Sequence, residues 1–226
     1  MLSLVFGFND DQPIFNLNNY LLNLLKFFIL SLIVLLIHNF IQKFYSDKIG
    51  AFTELKLWSS NPSLRFGRFK SKFYFPNGII FPLLITILSL GQIYFTAPVS
   101  TEIQVKPAYR IGKKFTRLTE FELAKVASVA PLTHIILAVI LNLFSIPLLK
   151  DLALINTMLS LSLMLPLPGL LGSTIFFSSK PLYIFTAIFI LTAAIFSSLI
   201  SSIYALIIAL IFGIVALVVY LYRYYK

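Results

Sequence analysis

Between Lys180 and Arg223 the chain carries no charged side chain. The apolar run inside that interval, Leu182 to Tyr222, is about twice the roughly 20 residues that one membrane-spanning helix needs. It therefore reads as two helices, hinged near the serines Ser197 to Ser202. Further apolar segments cover 20–44, 78–98, 121–149 and 152–171, with Lys150 and Asp151 marking a tight turn between the last two. Of 226 residues 59% are hydrophobic and 12% charged, at a mean hydropathy of +0.93. A soluble domain carries roughly 25% charged residues, so about half the usual charge is missing. These features predict an all-α polytopic membrane protein, folded as a single integral membrane domain over 1–226.

Within it, 1–19 reads as a polar N-terminus, acidic at Asp10 and Asp11. It lacks the basic stretch and small-residue cleavage site of a signal peptide, so the first apolar segment is expected to be retained. Residues 20–180 form the core and 181–226 a C-terminal helix pair. Alternation in Phe52–Trp58 and in Phe66–Phe75 has the two-residue period of short β-strands within the loop that follows the first span. There is no cysteine, which removes disulfides, thiolate metal sites and cysteine nucleophiles from consideration. The net charge of +10 is assigned to loop orientation and to contact with anionic membrane lipids, not to nucleic acid.

Basic residues also orient the chain. If 78–98 crossed the membrane, the basic loops 45–77 and 99–119 would fall on opposite faces. If it enters and returns, both loops share a face with Lys180, Arg223 and Lys226, and the other face keeps little beyond Lys150. Cytoplasmic loops carry the excess of Lys and Arg, which favours the second arrangement: about five spanning helices plus one re-entrant segment. Pro82 and Gly91 suit such a bend, and re-entrant backbone is tolerated where protein buries it. The multi-pass chain is thus expected in the cell membrane, with both basic loops and the C-terminus cytoplasmic.

Four stretches carry a resemblance. The first span ends Ile37-His38-Asn39-Phe40-Ile41-Gln42-Lys43-Phe44, followed by Gly50-Ala51-Phe52-Thr53-Glu54-Leu55-Lys56-Leu57-Trp58. The re-entrant candidate ends Phe95-Thr96-Ala97-Pro98, and the third segment contains Ala130-Pro131-Leu132-Thr133-His134. The fourth ends Leu165-Pro166-Leu167-Pro168-Gly169-Leu170-Leu171-Gly172-Ser173. In this order, over roughly residues 30 to 180, they resemble the site-2 protease family of intramembrane zinc metalloproteases, especially its archaeal branch. That family carries H-E-x-x-H on one membrane helix, G-P-x-x-N on a later one, and an Asp-bearing proline-rich stretch on a third. The resemblance implies that the first and fourth segments run the same way and the third against them, so the second must return to its own side.

The implied chemistry is a zinc ion held by two histidines one helical turn apart and a carboxylate, with a glutamate as general base. At the matching positions this chain has His38, Asn39, Gln42 and Leu171. An asparagine is no base, a glutamine amide is a poor zinc ligand, and a leucine is none. His134 stands where the family has an asparagine, so both histidines of the chain map to the same site. One reading has them facing each other across the bundle, holding a metal or exchanging a proton. The favoured one has each satisfied by neighbours such as Asn39, Gln42 and Thr133. The expectation is a catalytically inactive member of that fold with no cofactor. Its former cleft, at His38, Gln42, His134, Pro166 and Pro168, would bind transmembrane segments of other proteins. The alternatives are a metalloprotease with rearranged zinc ligands on His38 and His134, or a structural subunit of a larger membrane complex.

Overall fold

The computed structural model describes residues 1–8, 16–60, 63–66, 69–72, 75–106 and 117–224, with 63–66 and 69–72 described by their backbone. Asp10, Asp11, Arg68, Arg110, Lys113, Lys114 and Lys226, which entered the charge reading, lie outside the described residues. In chain order the elements are α1 (Leu2–Gly7), α2 (Leu17–Ile49), β1 (Ala51–Leu57), β2 (Ser63–Phe66), β3 (Phe69–Lys72), α3 (Asn77–Leu88), β4 (Val99–Val105), α4 (Glu120–Leu141), α5 (Pro147–Leu163), α6 (Leu171–Ser178), α7 (Lys180–Leu199) and α8 (Ser202–Tyr224). Among the described residues four helices, α2, α4, α7 and α8, are long and apolar enough to cross a membrane.

The count of four instead of five has a local cause. The chain turns after Leu141, and Pro147 opens α5, so Lys150 and Asp151 lie inside α5 and not in the turn. Proline suits a first helical position because its missing N–H has no partner to lose. Downstream, Pro166 and Pro168 stop the helix from continuing, which leaves α5 at 17 residues. Asp151 pairs with Lys26 of α2 at 3.0 Å.

Helix α2 begins at Asn16, whose side chain accepts from the Asn18 N–H, and ends at Gly50 in the left-handed region, φ 80°. Its 33 residues reach about 50 Å at 1.5 Å per residue. Leucines and phenylalanines such as Leu22, Phe28, Leu36 and Phe40 stay exposed along it, the pattern of a helix in lipid. Helix α4 sits at the centre, with 56% of its apolar stretch buried. Thr119 and Glu122 close a reciprocal cap at its start. Contacts fix directions: Gln42 reaches Val126 and His38 reaches His134, so α4 runs against α2. Ser160 donates to the Pro131 carbonyl while Asn156 faces His134, so α5 runs against α4 and along α2.

Gly50 releases the chain into β1, which pairs antiparallel with β4 from Ala51↔Val105 to Leu57↔Val99. Within the stretch read as short strands, β2 pairs with β3, and positions 67, 68, 73 and 74 lie outside the described residues. Strand β4 falls in the segment read as a plain basic loop.

Between the sheet's two strands, residues 77–98 form an apolar hairpin. Helix α3 has 12 residues, about 18 Å long at the standard rise, against about 30 Å of hydrocarbon. Leu90 and Gly91, both at positive φ, reverse the chain, and the Gly91 N–H bonds the Thr86 carbonyl. The descending limb is pinned to α5 by the Thr96 N–H on Ser162 Oγ at 2.9 Å. The mouth closes on itself: the Trp58 N–H bonds the Pro98 carbonyl, and the Gly78 N–H bonds the Trp58 carbonyl.

The polar N-terminus read over 1–19 is corrected at its start. Leu2, Val5 and Phe6 are apolar and buried, and α1 packs its Phe6 ring between Phe27 of α2 and Tyr94 of the hairpin, at centroid distances of 5.9 and 5.1 Å. At the far end, α7 and α8 separate at Ile200 and Ser201, within the serine-rich hinge the sequence marks.

Candidate functional site

Two imidazoles meet at the centre of the bundle. His38 lies five residues past the middle of α2 on its buried face, and His134 lies one turn beyond Pro131 in α4; both are almost wholly buried. His38 Nδ1 is 3.0 Å from His134 Nε2, and the rings stack at 5.2 Å between centroids and 11° between planes. His134 Nδ1 is 2.7 Å from Asn156 Oδ1 on α5, and Asn156 Nδ2 donates to the Leu152 carbonyl at 2.8 Å. One chain of hydrogen bonds thus ties three helices together.

The polarity of that chain follows from Asn156. Its amide nitrogen is committed to Leu152, so its oxygen is the acceptor and His134 Nδ1 carries the proton. In the uncharged pair His134 Nε2 then accepts, and His38 Nδ1 donates. His38 Nε2 is left as a bare lone pair, and no hydrogen-bond donor reaches it among the described residues. One turn further along α2, Gln42 Nε2 donates to the Val126 carbonyl at 3.0 Å, and its oxygen also finds no donor among the described residues. Two buried acceptors therefore share one face of α2. An unmade hydrogen bond of this kind costs about 1–3 kcal/mol.

Of the partners expected for the histidines, Thr133 bonds the Val129 carbonyl and Gln42 the Val126 carbonyl. The histidines use each other and Asn156 instead. Asn156 was missed in the sequence, although a lone amide inside the apolar run Leu152–Leu165 is the kind of residue that lipid penalises unless it is bonded. Asn39 stands beside His38 on the half-buried flank of α2. Leu171, at the start of α6, is buried in the apolar core with Val34, Ala130 and Ile175.

The donor set does not suit a hydrolytic zinc. Such a site needs three protein ligands and an open position. His38 and Gln42 offer one imidazole lone pair and one amide oxygen, and both nitrogens of His134 are engaged within the relay. Among the described residues no group of three His, Cys, Asp or Glu side chains gathers.

Pro166 and Pro168 are exposed and belong to a separate wall. The Pro168 carbonyl accepts the Trp58 indole N–H at 2.9 Å. Gly169 follows at φ 90°, under the same indole. This turn borders a cavity that neither histidine lines. No protein-family model, curated protein or solved structure matches this chain.

Proposed function

We propose that this chain is a non-hydrolytic member of the site-2-protease architecture, a multi-pass membrane protein that binds transmembrane segments without cutting them. The observation that carries this reading is the His38–His134–Asn156 relay. At the position where the resemblance puts a catalytic ion, one imidazole is bonded to another, Leu171 fills the carboxylate position with hydrocarbon, and Asn39 stands in place of the base. The relative directions of α2, α4 and α5 agree with those the resemblance implies.

In the same reading the 77–98 hairpin is a re-entrant segment. Its two ends meet at Trp58, Gly78 and Pro98; at its apolar tip, where Leu88, Leu90 and Ile93 are exposed, the reversing backbone bonds within itself through the Gly91 N–H on the Thr86 carbonyl and the Ile93 N–H on Ser89 Oγ. The basic segments at the sheet end of the bundle then face the cytoplasm, following the charge rule. Transmembrane helices of other proteins would pack on exposed apolar flanks through small residues and close backbone contact.

The test is paired. Purified protein is assayed for bound zinc and for cleavage of model transmembrane substrates, and proteins crosslinked to it in native membranes are identified. Substoichiometric zinc, no cleavage, and recovery of single-span partners are expected. Cleavage that a zinc chelator stops, and that His38→Ala abolishes, would establish the rearranged metalloprotease instead.

A further inference from the structure

A cavity of about 540 Å³ opens beside the hairpin mouth. Three aromatic rings form its walls around Trp58: Phe81 at 5.8 Å from the indole, Phe95 at 6.2 Å, and Phe75 at 6.4 Å from Phe81. Among the described residues that line it, none is ionisable. One end is polar. There Ser60 Oγ donates to Asn77 Oδ1 at 3.2 Å, which leaves the Asn77 amide N–H₂ as the hydrogen-bond donor of the cavity. The Trp58 indole N–H is already spent on Pro168.

Size and chemistry select the occupant. Cavities of about 300–1,000 Å³ with apolar walls and a few placed polar groups hold single small organic molecules. A helix about 10–12 Å across that rises about 5.4 Å per turn occupies roughly 500 Å³ in one turn, so no spanning helix of a partner fits. Among the described lining residues a charged ligand would find no counter-charge. The surrounding surface is apolar and exposed at Ile79, Phe81 and Leu84, which in a membrane places hydrocarbon chains against the opening. A slot that is aromatic along its length and donates one hydrogen bond at its end matches a chain ending in an acceptor oxygen.

We propose that this cavity holds one hydrocarbon chain of a membrane lipid, with an ester or ether oxygen of that lipid on the Asn77 amide. The site does not depend on whether the protein cleaves, and it draws on none of the histidine relay.

Trp58 is the only tryptophan of the chain, so its fluorescence reports on this cavity alone. Bromine on an acyl chain quenches an indole only at contact. Protein in detergent micelles is titrated with phosphatidylcholine carrying brominated acyl chains, at low lipid mole fraction. Quenching is expected to saturate. Ile85→Phe in α3 and Leu167→Phe in the turn before α6, both on residues that line the slot, should each shift the titration at least tenfold or abolish it, while far-ultraviolet circular dichroism stays unchanged. Should one of the two fail to fold, the other still reads the site. Asn77→Asp keeps an acceptor for Ser60 but replaces the donor with oxygen, and should weaken the interaction about tenfold. Quenching that rises in proportion to brominated lipid without saturating, or that both filling variants leave unchanged, overturns the site. An unaltered titration for Asn77→Asp overturns the placement of the lipid oxygen.

Discussion

A Cβ on Gly78 would stand 2.3 Å from the carbonyl oxygen of Pro98. The two ends of the apolar hairpin are therefore in backbone contact, across a gap that only glycine leaves open. Gly78→Ala would have to push the descending limb away from α3 and break the bond between the Gly78 N–H and the Trp58 carbonyl. Overpacking of this sort costs about 1–3 kcal/mol. The thermal unfolding midpoint of the detergent-solubilised protein should fall by several degrees. Gly213→Ala provides the comparison, because its added methyl would first meet the Phe185 ring at 3.1 Å, a side chain that can shift. Equal midpoints for the two variants would show that the hairpin ends are not in contact.

The membrane class was legible because lipid imposes a strong rule on composition: uncharged runs of spanning length leave few other folds. Lys and Arg on both flanks of 78–98 likewise pointed to a segment that turns back on itself, and its two ends do meet at Trp58, Gly78 and Pro98. What stayed hidden was set by contacts between distant residues. The pairing of Val99–Val105 with β1 is such a contact, although the alternation of Val99, Thr101, Ile103 and Val105 with Ser100, Glu102 and Gln104 already has the two-residue period of a strand. The start of the chain was misjudged because the charges of Asp10 and Asp11 outweighed the apolar Leu2, Val5 and Phe6. At the site, both histidines were found from type and position. Asn156 was passed over, since one amide in an apolar helix has no motif to advertise it.

The relay makes a prediction about tautomers. Free histidine favours a proton on Nε2, whereas the bond from His134 Nδ1 to Asn156 requires the proton on Nδ1 in both rings. Nitrogen-15 spectra of histidine-labelled protein should show two Nδ1-protonated imidazoles. In Asn156→Leu the acceptor is gone and His134 keeps a buried, unpaired N–H, at a cost of about 1–3 kcal/mol. That variant should unfold earlier and lose the pure tautomer signature, and His38 should respond too because it is bonded to the ring that changes. An Nε2-protonated His134 in the unaltered protein would refute the direction of the relay.

Orientation can be read with single cysteines, since the chain contains none of its own. Lys56→Cys in β1, Gln104→Cys in β4 and Lys180→Cys at the start of α7 all lie on exposed positions at the sheet end of the bundle; Ser145→Cys lies in the exposed turn between α4 and α5. A membrane-impermeant thiol reagent should label the first three from one face of the membrane and the fourth from the other. By the distribution of Lys and Arg the first face is the cytoplasmic one. If Lys56→Cys and Gln104→Cys react from opposite faces, residues 77–98 cross the membrane.

Trp58 and Gly169 should prove energetically coupled. Gly169 sits at φ 90°, and a Cβ there would lie 3.0 Å from both Cδ1 and Nε1 of the Trp58 indole. Gly169→Ala consequently carries two penalties: left-handed backbone, about 1–2 kcal/mol for a residue with a Cβ, and a clash with the ring. Trp58→Ala gives up the indole bond to Pro168 and the packing of the ring, a loss of about 3–5 kcal/mol, but it also removes the two atoms that the alanine methyl at 169 would strike. In the double variant the backbone penalty remains while the clash is relieved. Its loss in unfolding free energy should therefore be smaller than the sum of the two single losses, by about 0.5 kcal/mol or more, which is the scale on which touching residues depart from additivity. Unfolding of the four proteins in one detergent measures the difference, and simple additivity would mean that the indole does not rest on the Pro168–Gly169 turn.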